Sequence, residues 1–103
     1  MRILLTCSSG MSTSILVKKM KEAAENQGIQ VEIWSVGQAM VEEEIKKADV
    51  LLFGPQMRFL KAKYKSIGKE LNIPVDVINP IIYGRCDGQA ALKQALDLIE
   101  TNK

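Results

Sequence analysis

The sequence predicts an α/β fold, a single three-layer domain whose open four-stranded parallel sheet carries helices on both faces. Three observations lead there. Four short apolar segments recur along the chain, and each is followed by apolar residues at helical spacing. The third of them, Val50 to Phe53, is apolar at every position, as expected of a strand covered on both sides. Regular alternation of strand and helix calls for parallel strands joined by right-handed crossovers.

Residues 2–6 read as a short buried strand, followed by small polar residues and a glycine at 7–12. In the helix that comes next, Leu16, Met20, Ala23 and Ala24 share one face, while Lys18, Lys19, Glu22 and Glu25 lie mostly on the other. Gly28 stands where a left-handed residue is commonly needed to end it. Residues 29–35 form a second strand with Val31 and Ile33 on one face, and Gly37 opens a helix to Lys47. That helix turns Met40, Val41 and Ile45 inward, with Glu42, Glu43 and Glu44 as its solvated face. The third strand stops at Gly54 and Pro55, after which Met57, Leu60, Tyr64, Ile67 and Leu71 follow at helical spacing; this stripe and Trp34 are assigned to the core. Residues 74–78 are the fourth strand, 79–87 a loop with Pro80 and Gly84, and Leu92, Ala95, Leu96 and Ile99 mark a terminal helix capped by Asp87.

A chain of 103 residues has room for one core, so residues 1–103 are read as one domain. With 47% hydrophobic and 25% charged residues of both signs interspersed, the composition is globular rather than disordered. A net charge of +2 spread along the chain argues against a nucleic-acid surface. The apolar run at the start stops at Thr6, short of a signal core or a membrane span, and predicts a cytoplasmic protein with no direct membrane insertion. Cys7 and Cys86 are too distant in sequence to suggest a disulfide framework or a closely spaced metal pair. The absence of histidine excludes a histidine triad, a phosphohistidine carrier and histidine metal sites, which makes cysteine the first nucleophile to consider. No cofactor or metal is expected.

In open parallel sheets ligands bind outside the carboxyl ends of the strands, where the strand order reverses. Cys7 lies at that end of the first strand. The segment Cys7-Ser8-Ser9-Gly10-Met11-Ser12-Thr13-Ser14 joins a nucleophile, a glycine, five hydroxyl residues and a helix start. Helix N-termini offer unpaired amides and a positive dipole end, and successive loop amides form an anion nest. A cysteine facing such a terminus holds more of its nucleophilic thiolate form. A buried structural thiol and a helix capped by Ser12 or Thr13 would each be ordinary alone. Their conjunction with glycine and further hydroxyls at the ligand-binding edge makes Cys7 the catalytic candidate, with Ser8, Ser9, Gly10, Met11, Ser12 and Thr13 as the phosphate-binding loop.

That eight-residue segment closely resembles the phosphocysteine loop of enzyme IIB in the lactose, cellobiose and chitobiose class of the bacterial sugar phosphotransferase system. The resemblance covers essentially the whole chain, with Gly54-Pro55-Gln56, Tyr83-Gly84 and Asp87-Gly88 as supporting pieces. It implies a relay in which a IIA partner carrying phosphohistidine passes its phosphoryl group to Cys7. Cys7 then passes it to a sugar, such as cellobiose or chitobiose, held by the membrane IIC component. The fold implied is that shared with low-molecular-weight tyrosine phosphatases and flavodoxin-like proteins. In-line positioning and charge stabilisation are tasks for loop amides and hydroxyls, and no metal is called for. Ser9 departs from the alanine often found at its position in the family, and Cys86 is an extra thiol, read as a bystander.

A low-molecular-weight tyrosine phosphatase is the nearest competitor, but its signature places an arginine six residues after the cysteine, and Thr13 stands there. A hydroxyl does not replace the bidentate guanidinium fork. Thiol redox chemistry would place a second cysteine where Gly10 stands. A regulatory domain that keeps the fold without passing a phosphoryl group to sugar stays open. Ser14, Gln56 and Tyr83 are secondary site candidates. Met11, at the crest of an anion loop, is expected to contact IIA or IIC, and the small contacts of a transient carrier suit a monomer.

Overall fold

The computed structural model describes residues 1–7 and 10–102, without the side chains of 10–12. Four parallel strands, β1 (Arg2–Thr6), β2 (Glu32–Val36), β3 (Val50–Phe53) and β4 (Val75–Val77), form one sheet in the order β2-β1-β3-β4. Ile3 lies beside both Ile33 and Val50, and Leu5 beside Leu52, so apolar residues pair along the two central strands. The strands are short because polar residues and glycines interrupt them, and β1 and β3, whose side chains are buried on both faces almost throughout, take the central positions.

The helices divide between the faces. α1 (Gly10–Asn26) and α5 (Gly88–Thr101) cover one face, where Leu16, Met20, Ala91, Leu92 and Ala95 pack on Ile3, Leu5, Val50 and Leu52. α2 (Val41–Glu44) and α3 (Lys61–Leu71) cover the other, where Val41, Ile45, Met57 and Tyr64 pack on Leu4, Leu51 and Phe53. Tyr64 and Phe53 meet edge to face at 5.5 Å between ring centroids. Burial pushes the Tyr64 phenol above its usual range, and the Glu42 carboxylate adds to that. No helix among the described residues is long and apolar enough to cross a membrane.

One helix stop and one close approach set the layers. α1 stops at Gly28, whose φ is +68°, and the Ile29 N–H reaches back to the Ala24 carbonyl at 2.9 Å. Gly88 opens α5 against α1, where a side chain would collide with the Lys19 backbone.

Six expectations need correction. Residues 79–87 are not a loop: α4 (Pro80–Arg85) forms there, because Asn79 Oδ1 accepts from the N–H groups of Ile81 at 2.9 Å and Ile82 at 3.5 Å, and proline fits the first helical position. The segment from Gly37 to Lys47 is not one helix but α2 flanked by 3-10 turns at Gln38–Met40 and Ile45–Lys47. The tighter turn rotates Met40 out of register, leaving it 50% exposed. Glu44 leaves the solvated face, accepting from Trp34 Nε1 at 3.2 Å and Lys47 Nζ at 2.8 Å; the Lys47 bond, more than that from Trp34, holds its carboxyl below the usual range. A 3-10 turn also precedes α3, over Pro55–Leu60, and Leu71 at the far end of the stripe is exposed rather than core. The second strand begins at Glu32 rather than Ile29, although Ile29 and Val31 still pack on the α1 face.

Candidate functional site

Because β1 lies between β2 and β3, the chain leaves it toward β2 through α1 on one face and reaches β3 through α2 on the other. The crevice between those departures, at the carboxyl end of β1, is where such sheets accept ligands. Cys7 occupies it, immediately after Thr6 and only 6% exposed. Its neighbour Thr6 is tied into the sheet by its carbonyl, which accepts from the Gly54 N–H at 2.9 Å.

The sulfur of Cys7 lies against Thr13 Oγ1, a contact across six positions of sequence in which either atom can donate. Thr13 is 3% exposed and sits in the first turn of α1, which begins at Gly10. The polar loop is therefore shorter than the sequence implied, and neither Ser12 nor Thr13 is the cap of this helix. A first helical turn presents N–H groups that no intrahelical carbonyl uses, and no acidic residue in the first turn of α1 competes for them. The thiol, the Thr13 hydroxyl and the positive end of α1 thus converge on one point.

A cleft of about 440 Å³ opens there, lined by Cys7, Thr13, Ser14, Ser35, Val36, Gly37 and Gln38. Ser14 lines this cleft. The contribution of Ser35 to Gln38 was missed from sequence; its only signal was Gly37 following a strand, the same punctuation that marks Gly54. Ser8 and Ser9 lie outside the described residues, as do the side chains of Met11 and Ser12, so the expected contacts of Met11 lie outside them too.

The third strand closes the site from the other side. A Cβ built on Gly54 would lie 2.9 Å from Cys7 Cβ and would overlap Gln56 Oε1, so only hydrogen fits between them. Gln56 Nε2 donates to Tyr83 Oη at 3.1 Å, joining the β3–α3 turn to α4. Gln56 and Tyr83, 27 positions apart, are therefore joined into one unit, and Gln56 lies across Gly54 from Cys7. Gly54 was legible as a turn residue, but its role as the gap between Cys7 and Gln56 depends on tertiary packing.

Cys86 is elsewhere in character. It ends α4 with φ +51°, is half-buried, and its N–H donates to the Tyr83 carbonyl at 3.1 Å. Asp87, next in sequence, caps α5 through Oδ1, which accepts from the Ala90 N–H at 3.1 Å, as the sequence predicts. The described residues contain no group of three or more Cys, Asp or Glu side chains arranged to hold a metal. At the opposite edge of the sheet, a concavity of about 390 Å³ lined by Lys65, Gly68, Asn72 and Pro74 among others holds no cysteine.

Comparison with known proteins points the same way. Residues 2–94 match the family described as PTS system, Lactose/Cellobiose specific IIB subunit. The chain is 52% identical over 98 residues, 95% of each protein, to the oligo-beta-mannoside-specific EIIB component of Bacillus subtilis (strain 168). It is 35% identical to the cellobiose-specific IIB component of Borrelia burgdorferi, whose solution structure superposes with a TM-score of 0.83 over 100% of this chain and 94% of that one. The lactose-specific IIB domain of Streptococcus pneumoniae shares the fold at 18% identity, with a TM-score of 0.86 over 95% of this chain and 96% of that one.

Proposed function

The chain belongs to the lactose/cellobiose-specific IIB family of the phosphotransferase system, and from that premise we propose that Cys7 is the residue that carries its phosphoryl group. Members of this family are phosphotransferases that act with IIA and IIC components of sugar uptake. The observation that carries the proposal is the placement of the Cys7 sulfur at the carboxyl end of β1, against Thr13 Oγ1 in the first turn of α1.

The relay takes two steps. The Cys7 thiolate attacks phosphorus in line; an S–P bond forms, the N–P bond of the IIA phosphohistidine breaks, and the imidazole leaves with that electron pair. In the second step a sugar hydroxyl held by IIC attacks the same phosphorus, an O–P bond forms, the S–P bond breaks, the Cys7 thiolate leaves with that electron pair, and the hydroxyl proton passes to solvent. Both steps spread charge over equatorial oxygens, which the first-turn amides of α1 and the hydroxyls of Thr13 and Ser14 are suited to receive. Ser8, Ser9, Gly10, Met11 and Ser12 complete the proposed phosphate loop by sequence.

A hydrolase is disfavoured by the same geometry. Where a tyrosine phosphatase would present a guanidinium, this site presents the Thr13 hydroxyl, which offers neither the charge nor the paired donors that grip a hydrolytic transition state. The sugar proposed is a β-linked disaccharide of the cellobiose or β-mannoside kind, on the strength of the relatives with those specificities.

The test is intact mass after incubation with phosphorylated IIA. An acid-sensitive phosphoryl adduct is expected on the wild type and on Cys86→Ser. Its presence on Cys7→Ser, or its absence from the wild type with several IIA donors, would overturn the reading.

A further inference from the structure

Gln56 lies across Gly54 from Cys7 and is tied to Tyr83. The carboxamide has two unlike ends: an oxygen that only accepts and a nitrogen that only donates. Here the oxygen faces the space over Gly54 that borders Cys7 Cβ, and the nitrogen donates to Tyr83 Oη at 3.1 Å. A phosphoryl group on Cys7 would bring anionic acceptor oxygens to the same corner, and an oxygen-first carboxamide would repel them.

Turning the carboxamide by half a rotation removes the conflict. The terminal torsion of glutamine is soft and broad, so the turn costs little. Tyr83 does not have to move, because its hydroxyl both accepts and donates: it accepts from Nε2 in the present orientation and would donate to Oε1 in the turned one. The tether survives with its direction reversed, and the amide N–H groups then face the phosphoryl oxygens.

We infer that Gln56 is a phosphorylation-dependent hydrogen-bond donor to phosphocysteine 7, turned and held by Tyr83 as its positioning residue. The inference rests on the reading of Cys7 as the phosphoryl site. It also gives a reason for a neutral side chain here: a guanidinium in this place would bind the phosphoryl group in two bonds with full charge, whereas a carboxamide contributes a weaker bond to a group that must be passed on.

The decisive variant is Gln56→Glu. It keeps the shape and an acceptor for the Tyr83 hydroxyl, so a purely structural tie between β3–α3 and α4 is preserved. It offers no donor and adds negative charge beside the phosphoryl group. Initial rates of transfer from phosphorylated IIA to the full chain, followed by intact mass, are expected to fall about tenfold or more in Gln56→Glu and Gln56→Ala, the scale of a lost hydrogen bond to a charged group. Tyr83→Phe should lose about threefold, on the scale of a neutral hydrogen bond, and should add nothing in a Gln56→Ala background. On the wild-type protein, the Gln56 side-chain amide resonances should shift on phosphorylation, a readout independent of whether any variant folds. Wild-type rates in Gln56→Glu, or unmoved Gln56 amide resonances on fully phosphorylated protein, would overturn the inference while leaving the carrier reading intact. A wild type that takes up no phosphoryl group on Cys7 would overturn both.

Discussion

Cys7 and Cys86 are the same residue in two turns that differ in almost every physical respect. Cys7 follows a central strand, is nearly buried, and lies against a hydroxyl at the start of a 17-residue helix. Cys86 ends the six-residue helix α4 in the left-handed conformation and is half-buried. The first turn is shaped by where it places its side chain, the second by where its backbone goes. On the proposed reading, nucleophilic character belongs to the surroundings of a cysteine, and a thiol count alone does not reveal it.

The sharpest way to break this contrast is to exchange sulfur for oxygen at each position. Cys7→Ser is expected to abolish phosphoryl uptake, and Cys86→Ser to leave its rate within about twofold, as for a surface substitution away from the chemistry. Comparable losses in both, measured against phosphorylated IIA, would mean that the α4–α5 turn belongs to the site.

The next largest effect is expected from Gly54→Ala. The added methyl would be 2.9 Å from Cys7 Cβ and would displace the Gln56 carboxamide, so transfer and folding suffer together. Overpacking of this kind costs about 1–3 kcal/mol, read by urea unfolding, and displacement of the nucleophile should slow transfer by about tenfold or more. At Gly84, by contrast, nothing lies within 4 Å of an added methyl, so Gly84→Ala should carry no steric cost and leave transfer unchanged.

Much of this contrast was readable in the sequence, and the exceptions have physical causes. Val50 to Phe53 was placed to the residue because a strand covered on both faces is continuously apolar. Cys7 was legible as the candidate because cysteine, glycine and hydroxyls are contiguous in the sequence. α4 was missed because Asn79, Pro80 and Gly84 are each common in loops, yet an asparagine followed by proline is also a cap and a first helical residue. Met40 was misplaced because a 3-10 turn breaks the 3.6-residue period on which the assignment relied. The link from Gln56 to Tyr83, and the gap at Gly54 through which Gln56 approaches Cys7, are contacts between distant segments that no local pattern encodes.

A smaller effect separates stability from chemistry within the second turn. Asp87→Ala removes the cap of α5 and should cost about 1 kcal/mol, while Asp87→Asn, which keeps an acceptor oxygen, should recover most of it. Phosphoryl transfer should be unchanged in both. A transfer defect in Asp87→Asn with normal stability would instead assign the carboxylate a chemical role and revive the phosphatase-like reading.

The smallest expected effect is also the most specific to the backbone of the second turn. A residue with a Cβ pays about 1 kcal/mol or more for the left-handed conformation that Cys86 adopts at φ +51°. Glycine pays no such steric cost, but it loses more freedom on folding, by about 0.5–1 kcal/mol. It also forfeits what contact the half-buried thiol makes. The terms nearly offset, so Cys86→Gly should be neutral to about 0.5 kcal/mol more stable, whereas Cys86→Val, β-branched and ill-suited to positive φ, should be destabilised by about 1 kcal/mol or more. Urea midpoints at constant m-value would read both. The reverse order would show that the Cys86 side chain, and not its backbone, stabilises this turn, and the distinction between the two cysteines would narrow to their reactivity.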